Sequence, residues 1–107
     1  MAPRPKFLDR LPPRLYGAAL YAVEAQDHYL QVYTSRGTDL ILLRMSDAID
    51  ELGGIEGARV HRSWWIARSA IVKSIKTNGK AMLTLSGDLE VPVSRSYVRA
   101  LRELGWI

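Results

Sequence analysis

Three short stretches carry side chains that could act on a partner: Asp27-His28-Tyr29, His61-Arg62-Ser63 with Arg68 downstream, and Ser94-Arg95-Ser96. Arginine can present two parallel N–H groups to a guanine edge or enter a narrow minor groove. Lysines, hydroxyls and free backbone N–H groups suit phosphate. The chemistry these residues fit is recognition of a nucleic acid. Each stretch also has a plain structural reading: His28 can end a turn, His61 can be a satisfied strand histidine, and Ser94 can be a helix cap.

Catalysis is poorly provided for. The chain has two histidines, His28 and His61, and no cysteine, which excludes a disulfide, a thiolate zinc site and a cysteine nucleophile. The histidines lie in different segments without a spaced ligand, so no metal or other cofactor is expected. A triad can be drawn from Ser63 or Ser94 with either histidine and an aspartate, but no nucleophile elbow accompanies it. Phosphate loops of the GxxxxGK type and dinucleotide fingerprints are missing too. No enzyme activity, and so no catalytic residue, is expected.

Charge supports the nucleic-acid reading. The net charge of +4 is uneven: residues 1–56 hold six Lys/Arg against eight Asp/Glu, and residues 57–107 hold nine against three. Clustered positive charge displaces condensed counterions from a polyanion, which scattered charge does weakly. An ordinary solvated face would give the same count. A length of 107 residues suits one domain with its own core. No apolar run approaches the ~20 residues of a membrane span, and the basic, proline-broken start has no apolar region after its charges. A cytoplasmic domain with no membrane in this segment is expected.

The elements that must position these residues are mostly strands. Residues 1–13 hold four of the five prolines and no periodicity, so they read as a tail or linker outside the core, leaving residues 14–107 as the domain. "LYAVEA" and "YLQVYTS" alternate around the polar corner "QDH", with Tyr29, Gln31 and Tyr33 on one face and Leu30, Val32 and Thr34 on the other. "SRGT" turns into the strand "DLILLRM". A first helix is predicted with Ser46 as N-cap and Gly53-Gly54 as its stop. "GARVH" is extended. "AIVKSIKT" places Ile71, Lys73 and Ile75 on one parity, and Asn78-Gly79 signals a type I′ hairpin into "AMLTLS". Pro92 removes a ladder donor, so "LEVPV" is expected to lie at a sheet edge or to end there. The final segment reads as a helix capped by Ser94 or Ser96 with Tyr97, Val98, Leu101 and Leu104 at helical spacing. The sum is about seven strands and two short helices.

The stretch "VHRSWWIARSAI" resembles the signature of the LytTR family of bacterial DNA-binding domains. "VEAQDHYLQVYTS" and "EVPVSRSYVRAL" are similar to two further segments of that family, in family order, and together the three cover about Leu15 to Leu104. The resemblance implies a mainly β fold, an elongated arrangement of small antiparallel β-sheets with two short helices, and sequence-specific binding of double-stranded DNA by loops at sheet ends. It implies base contacts from His28 in one major groove, Arg62 at the intervening minor groove, and Arg95 in a second major groove. Phosphate-backbone contacts are expected from Asp27, Tyr29, Ser63, Arg68, Lys73, Ser96 and Arg99. Major grooves on one face recur every ~34 to 36 Å, so His28 and Arg95 are expected at opposite ends. The implied role is the output domain of a bacterial transcriptional regulator on promoter DNA, where direct repeats would seat two domains side by side, a dimer on DNA. Such domains commonly follow a receiver domain or a membrane segment, so this chain is expected to be either an excised DNA-binding domain or a stand-alone form. Two departures are noted: the family's Val-Asn is Ala67-Arg68 here, and Trp64-Trp65 replaces an aromatic plus an aliphatic residue.

Within "VHRSWW", Val60 and at least one tryptophan are expected to anchor a sheet end. His61 would brace the loop, and Arg62 with Ser63 would face the DNA. The alternative is a small β-barrel interaction module that binds protein or single-stranded RNA. That module would need aromatics exposed as stacking platforms, so solvent-facing Trp64 and Trp65 would favour it.

Overall fold

Strand β2 (Tyr29–Thr34) shows how side chains are sorted. Leu30, Val32 and Thr34 are buried, and Tyr29, Gln31 and Tyr33 on the opposite face are exposed or half-buried, the alternation that a pleat imposes. The computed structural model describes residues 5–107. Around β2 lie β1 (Leu20–Gln26), β3 (Gly37–Leu42), α1 (Met45–Glu51), β4 (Gly57–His61) and β5 (Trp64–Ala67). They are followed by β6 (Ile71–Thr77), β7 (Lys80–Leu85), β8 (Leu89–Val93) and α2 (Arg95–Glu103). One sheet has the order β3-β2-β1-β5-β4 and the other β6-β7-β8, with every neighbouring pair antiparallel. With principal extents of 41 × 32 × 24 Å, this is the elongated, mainly β arrangement expected.

The strand that sequence reading lacked is β5. All four of its residues are buried, so it shows no alternation. It lies between β1 and β4 and joins them into one sheet. Consecutive strand residues point to opposite faces, so Trp64 and Trp65 occupy both sides of this sheet, 8% and 4% exposed. Trp64 stacks on Tyr33 with ring centroids 5.6 Å apart.

Three further expectations change. Phe7 and Leu11, within the segment read as lying outside the core, are fully or almost fully buried with Leu15. Short 3-10 turns at Lys6–Arg10 and Pro13–Leu15 point these apolar side chains inward despite the prolines. Residues 1–4 of that segment lie outside the described residues. Helix α1 starts at Met45, and Arg44 rather than Ser46 occupies the N-cap without a side-chain bond. Burial of Met45 and Ala48 outweighs the capping preference of the exposed Ser46. In β6, Ile71 pairs with buried Leu85, and the register then shifts before Lys73. That bulge at Val72 separates Ile71 from the solvent-facing Lys73 and Ile75, with which it was expected to share a face. As expected, Asn78 and Gly79 turn the β6–β7 hairpin with φ of 51° and 77°, and β8, which carries Pro92, is an edge strand.

Candidate nucleic-acid interface

Strand pairing brings the three candidate stretches into one series. Because β1 and β5 are antiparallel with Glu24 opposite Trp64, the β1–β2 turn at Asp27-His28 and the β4–β5 turn at Arg62-Ser63 share one end of the large sheet. The Ala25 N–H donates to the Ser63 carbonyl at 2.8 Å and ties the two together. On the other side, the Ser94 N–H donates to the Val60 carbonyl at 3.0 Å, which seats the start of α2 against β4. Arg95, the first residue of α2, reaches the Asn78 carbonyl in the β6–β7 turn through Nη2 at 3.4 Å. The order is therefore His28, then Arg62 and Ser63, then Arg95. His28, Arg62 and Arg95 are all exposed. The 41 Å long dimension exceeds the ~34 Å between successive major grooves.

The central turn is the most heavily built. The Ser63 N–H donates to His61 Nδ1 at 3.1 Å, so the His61 side chain braces the turn. Arg59 Nη2 donates to the Arg62 carbonyl at 2.7 Å. Beneath lie both tryptophans, while Arg62 itself stays in solvent. Nearby, the Tyr33 hydroxyl donates to Glu24 Oε1 at 2.8 Å, and Gln26 Nε2 donates to the same oxygen at 3.1 Å. Burial, reinforced by that bond and the charge of Glu24, pushes the Tyr33 phenol up to about 12.

The flanking residues divide. Asp27 turns the chain with φ of 52°, and Tyr29 opens β2 with its ring half exposed. The Ser96 and Ser94 hydroxyls lie 3.2 Å apart, and Ser94, at the N-cap of α2, makes no side-chain cap bond. Arg99 is exposed on α2 and paired with Glu103 at 3.3 Å. Lys73 is exposed on β6, five residues before the β6–β7 turn begins at Asn78. Arg68 is not gathered with the others: it follows the far end of β5, its guanidinium 5.7 Å from the Trp106 ring centroid. Sequence reading passed over Lys80, which is exposed beside Asn78-Gly79 and lines a groove with Arg95, and Arg59. Lys80 was legible as a cation directly after a hairpin signal. Arg59 was not, because its role depends on the turn folding back onto it. Among the described residues, no cluster of three or more His, Asp or Glu side chains could hold a metal, and no helix is long and apolar enough to cross a membrane.

The family model for the LytTr DNA-binding domain matches residues 17–106. Among solved structures, the chain is similar to the LytTr DNA-binding domain of a protein described as a methyl-accepting/DNA response regulator from Bacillus cereus. The TM-score is 0.72 at 24% identity, with 79% of each chain covered. Comparison with curated proteins found no match. The match over residues 17–106, far more than half of the chain, shows that this protein belongs to the LytTR family of DNA-binding domains.

Proposed function

We propose that this domain binds double-stranded DNA sequence-specifically, as the output domain of a bacterial transcriptional regulator in the cytoplasm. The observation that carries the reading is the serial order of three exposed elements: the β1–β2 turn, the β4–β5 turn beside it, and the start of α2 on the other side of β4. His28 and Arg95 read bases in two successive major grooves, and Arg62 reads the minor groove between them. Backbone contacts come from Tyr29, Ser63, Lys73, Ser96 and Arg99. Asp27 contacts phosphate through its N–H, since its carboxylate would repel the DNA. Arg68 serves only where bent DNA reaches the opposite end of β5. Target promoters carry direct repeats, so two domains lie side by side. Trp64 and Trp65 are both buried, which removes the stacking platform that a single-strand RNA binder needs.

A selection from random duplex DNA, followed by a salt titration on the winning site, tests the reading. With about six phosphates neutralised, affinity falls ~10³-fold between 50 and 200 mM salt. Arg95→Ala relaxes one base position, whereas Lys73→Ala weakens all sequences alike. Equal losses on selected and random DNA for Arg95→Ala would remove base reading by Arg95.

A further inference from the structure

The sheet pairing places a bulge between two of the proposed reading elements. In β4, Arg59 pairs with Trp65 and His61 pairs with Trp64, so Val60 is an extra residue without a partner in β5. Bulges break the ladder locally and re-aim the strand. The Val60 side chain is fully buried, and its carbonyl accepts the Ser94 N–H at 3.0 Å. Two residues farther along β4 stands the Arg62 of the central turn, and one residue beyond Ser94 stands Arg95. One backbone hydrogen bond thus joins the two elements. A second bond holds the turn on the opposite side, from Arg59 Nη2 to the Arg62 carbonyl at 2.7 Å. Arg59 Nε is buried without a partner, an unfavourable state for a guanidinium N–H. The surrounding packing therefore holds this side chain, at a cost, in a pose that reaches Arg62.

We propose that the Val60–Ser94 junction, with Arg59 as a positioning residue, is a ruler that sets how many base pairs separate the bases read by Arg62 and Arg95. The proposal rests on the DNA-reading function above. Two side chains mounted on one rigid junction can engage only bases at a matching rise and helical rotation along the duplex. If the junction loosens, each side chain still finds a base, and the spacing ceases to matter.

Ser94 permits a clean test because its φ of −74° suits proline. Ser94→Pro deletes the donor and sets the ring Cδ against the Val60 carbonyl, so the junction must open there; Ser94→Ala controls for the hydroxyl, and Arg59→Met releases the Arg62 carbonyl independently. The positions read by Arg62 and Arg95 are located by Arg62→Ala and Arg95→Ala on the selected duplex. Affinities are then measured for that duplex and for duplexes with one base pair inserted or deleted between those positions. Wild type and Ser94→Ala lose at least about tenfold on the shifted sites, the scale of a mismatched base pair. In Ser94→Pro and Arg59→Met the loss shrinks below about threefold, while near-ultraviolet circular dichroism shows both folded. Retention of the full wild-type loss in both variants overturns the ruler, as does a wild type that binds shifted sites as well as the selected one. If Ser94→Pro does not fold, Arg59→Met alone decides on the same criterion. A wild type with no preference for any duplex would overturn the DNA-reading function itself, a result distinct from the others.

Discussion

The β1–β2 turn and the β4–β5 turn sit side by side at one end of the large sheet, yet they are built in opposite ways. The β4–β5 turn stands on two buried tryptophans and is held by bonds from Arg59, to His61 Nδ1 and from Ala25. The β1–β2 turn has an exposed aspartate and histidine, and among the described residues no side-chain bond to either is found. A fixed mount spends its conformational entropy at folding, and a free turn spends it at binding. A domain with one of each can hold its central contact rigid while its outer contact adapts to the groove.

The largest expected effect comes from removing the mount. Trp65→Ala should lower stability by about 3 to 5 kcal/mol, as large aromatic truncations in cores do. Tyr29→Ala at the free turn should cost below about 1 kcal/mol, because its ring is half in solvent already. Thermal melts of the two variants give the contrast, and equal shifts would end it. Next comes binding: Arg62→Ala and Arg95→Ala should each lose roughly 1 to 3 kcal/mol on the selected duplex and far less on random DNA. Competition titrations on the two duplexes would read this.

A smaller effect follows from Tyr33, which stacks on Trp64 and so belongs to the mount. Its phenol is raised from 10.0 to about 12 in the folded chain, so the folded state keeps a proton that the unfolded state releases first. The stabilisation is complete below pH 10 and is lost as the pH climbs toward about 12. Urea midpoints should fall over that window in the wild type and less in Tyr33→Phe. The smallest effect is at the free turn. Asp27 sits at φ 52°, so Asp27→Gly should raise stability by roughly a few tenths of a kcal/mol. A clear loss on melting would reveal a side-chain role for Asp27.

The alternation of β2 and the Asn78-Gly79 hairpin were legible because each is written within a few adjacent residues. The three candidate stretches stood out as motifs, but their serial order was not legible, since it depends on β5 pairing with β1. Strand β5 escaped notice because four residues buried on both faces carry no period. The bulges at Val60 and Val72 are properties of two strands together, so neither strand alone reveals them. Phe7 and Leu11 were hidden by the prolines beside them, which suggest a linker until the chain is seen folded against the core.

At the end of β4 away from the central turn, where it pairs with Ala67, Gly57 faces the ring of Trp65 so closely that a Cβ at position 57 would overlap Trp65 Cζ2 and lie 2.6 Å from the Ile66 carbonyl oxygen. The two positions divide a single volume. A larger residue at 57 therefore needs both a smaller ring at 65 and a shift of the Ile66 backbone, so the ring accounts for only part of the cost. In a double-mutant cycle, Gly57→Ala should cost less beside Trp65→Phe than in the wild type, a coupling of roughly 0.5 to 3 kcal/mol. Any redesign of the central turn inherits that constraint before a base contact is changed.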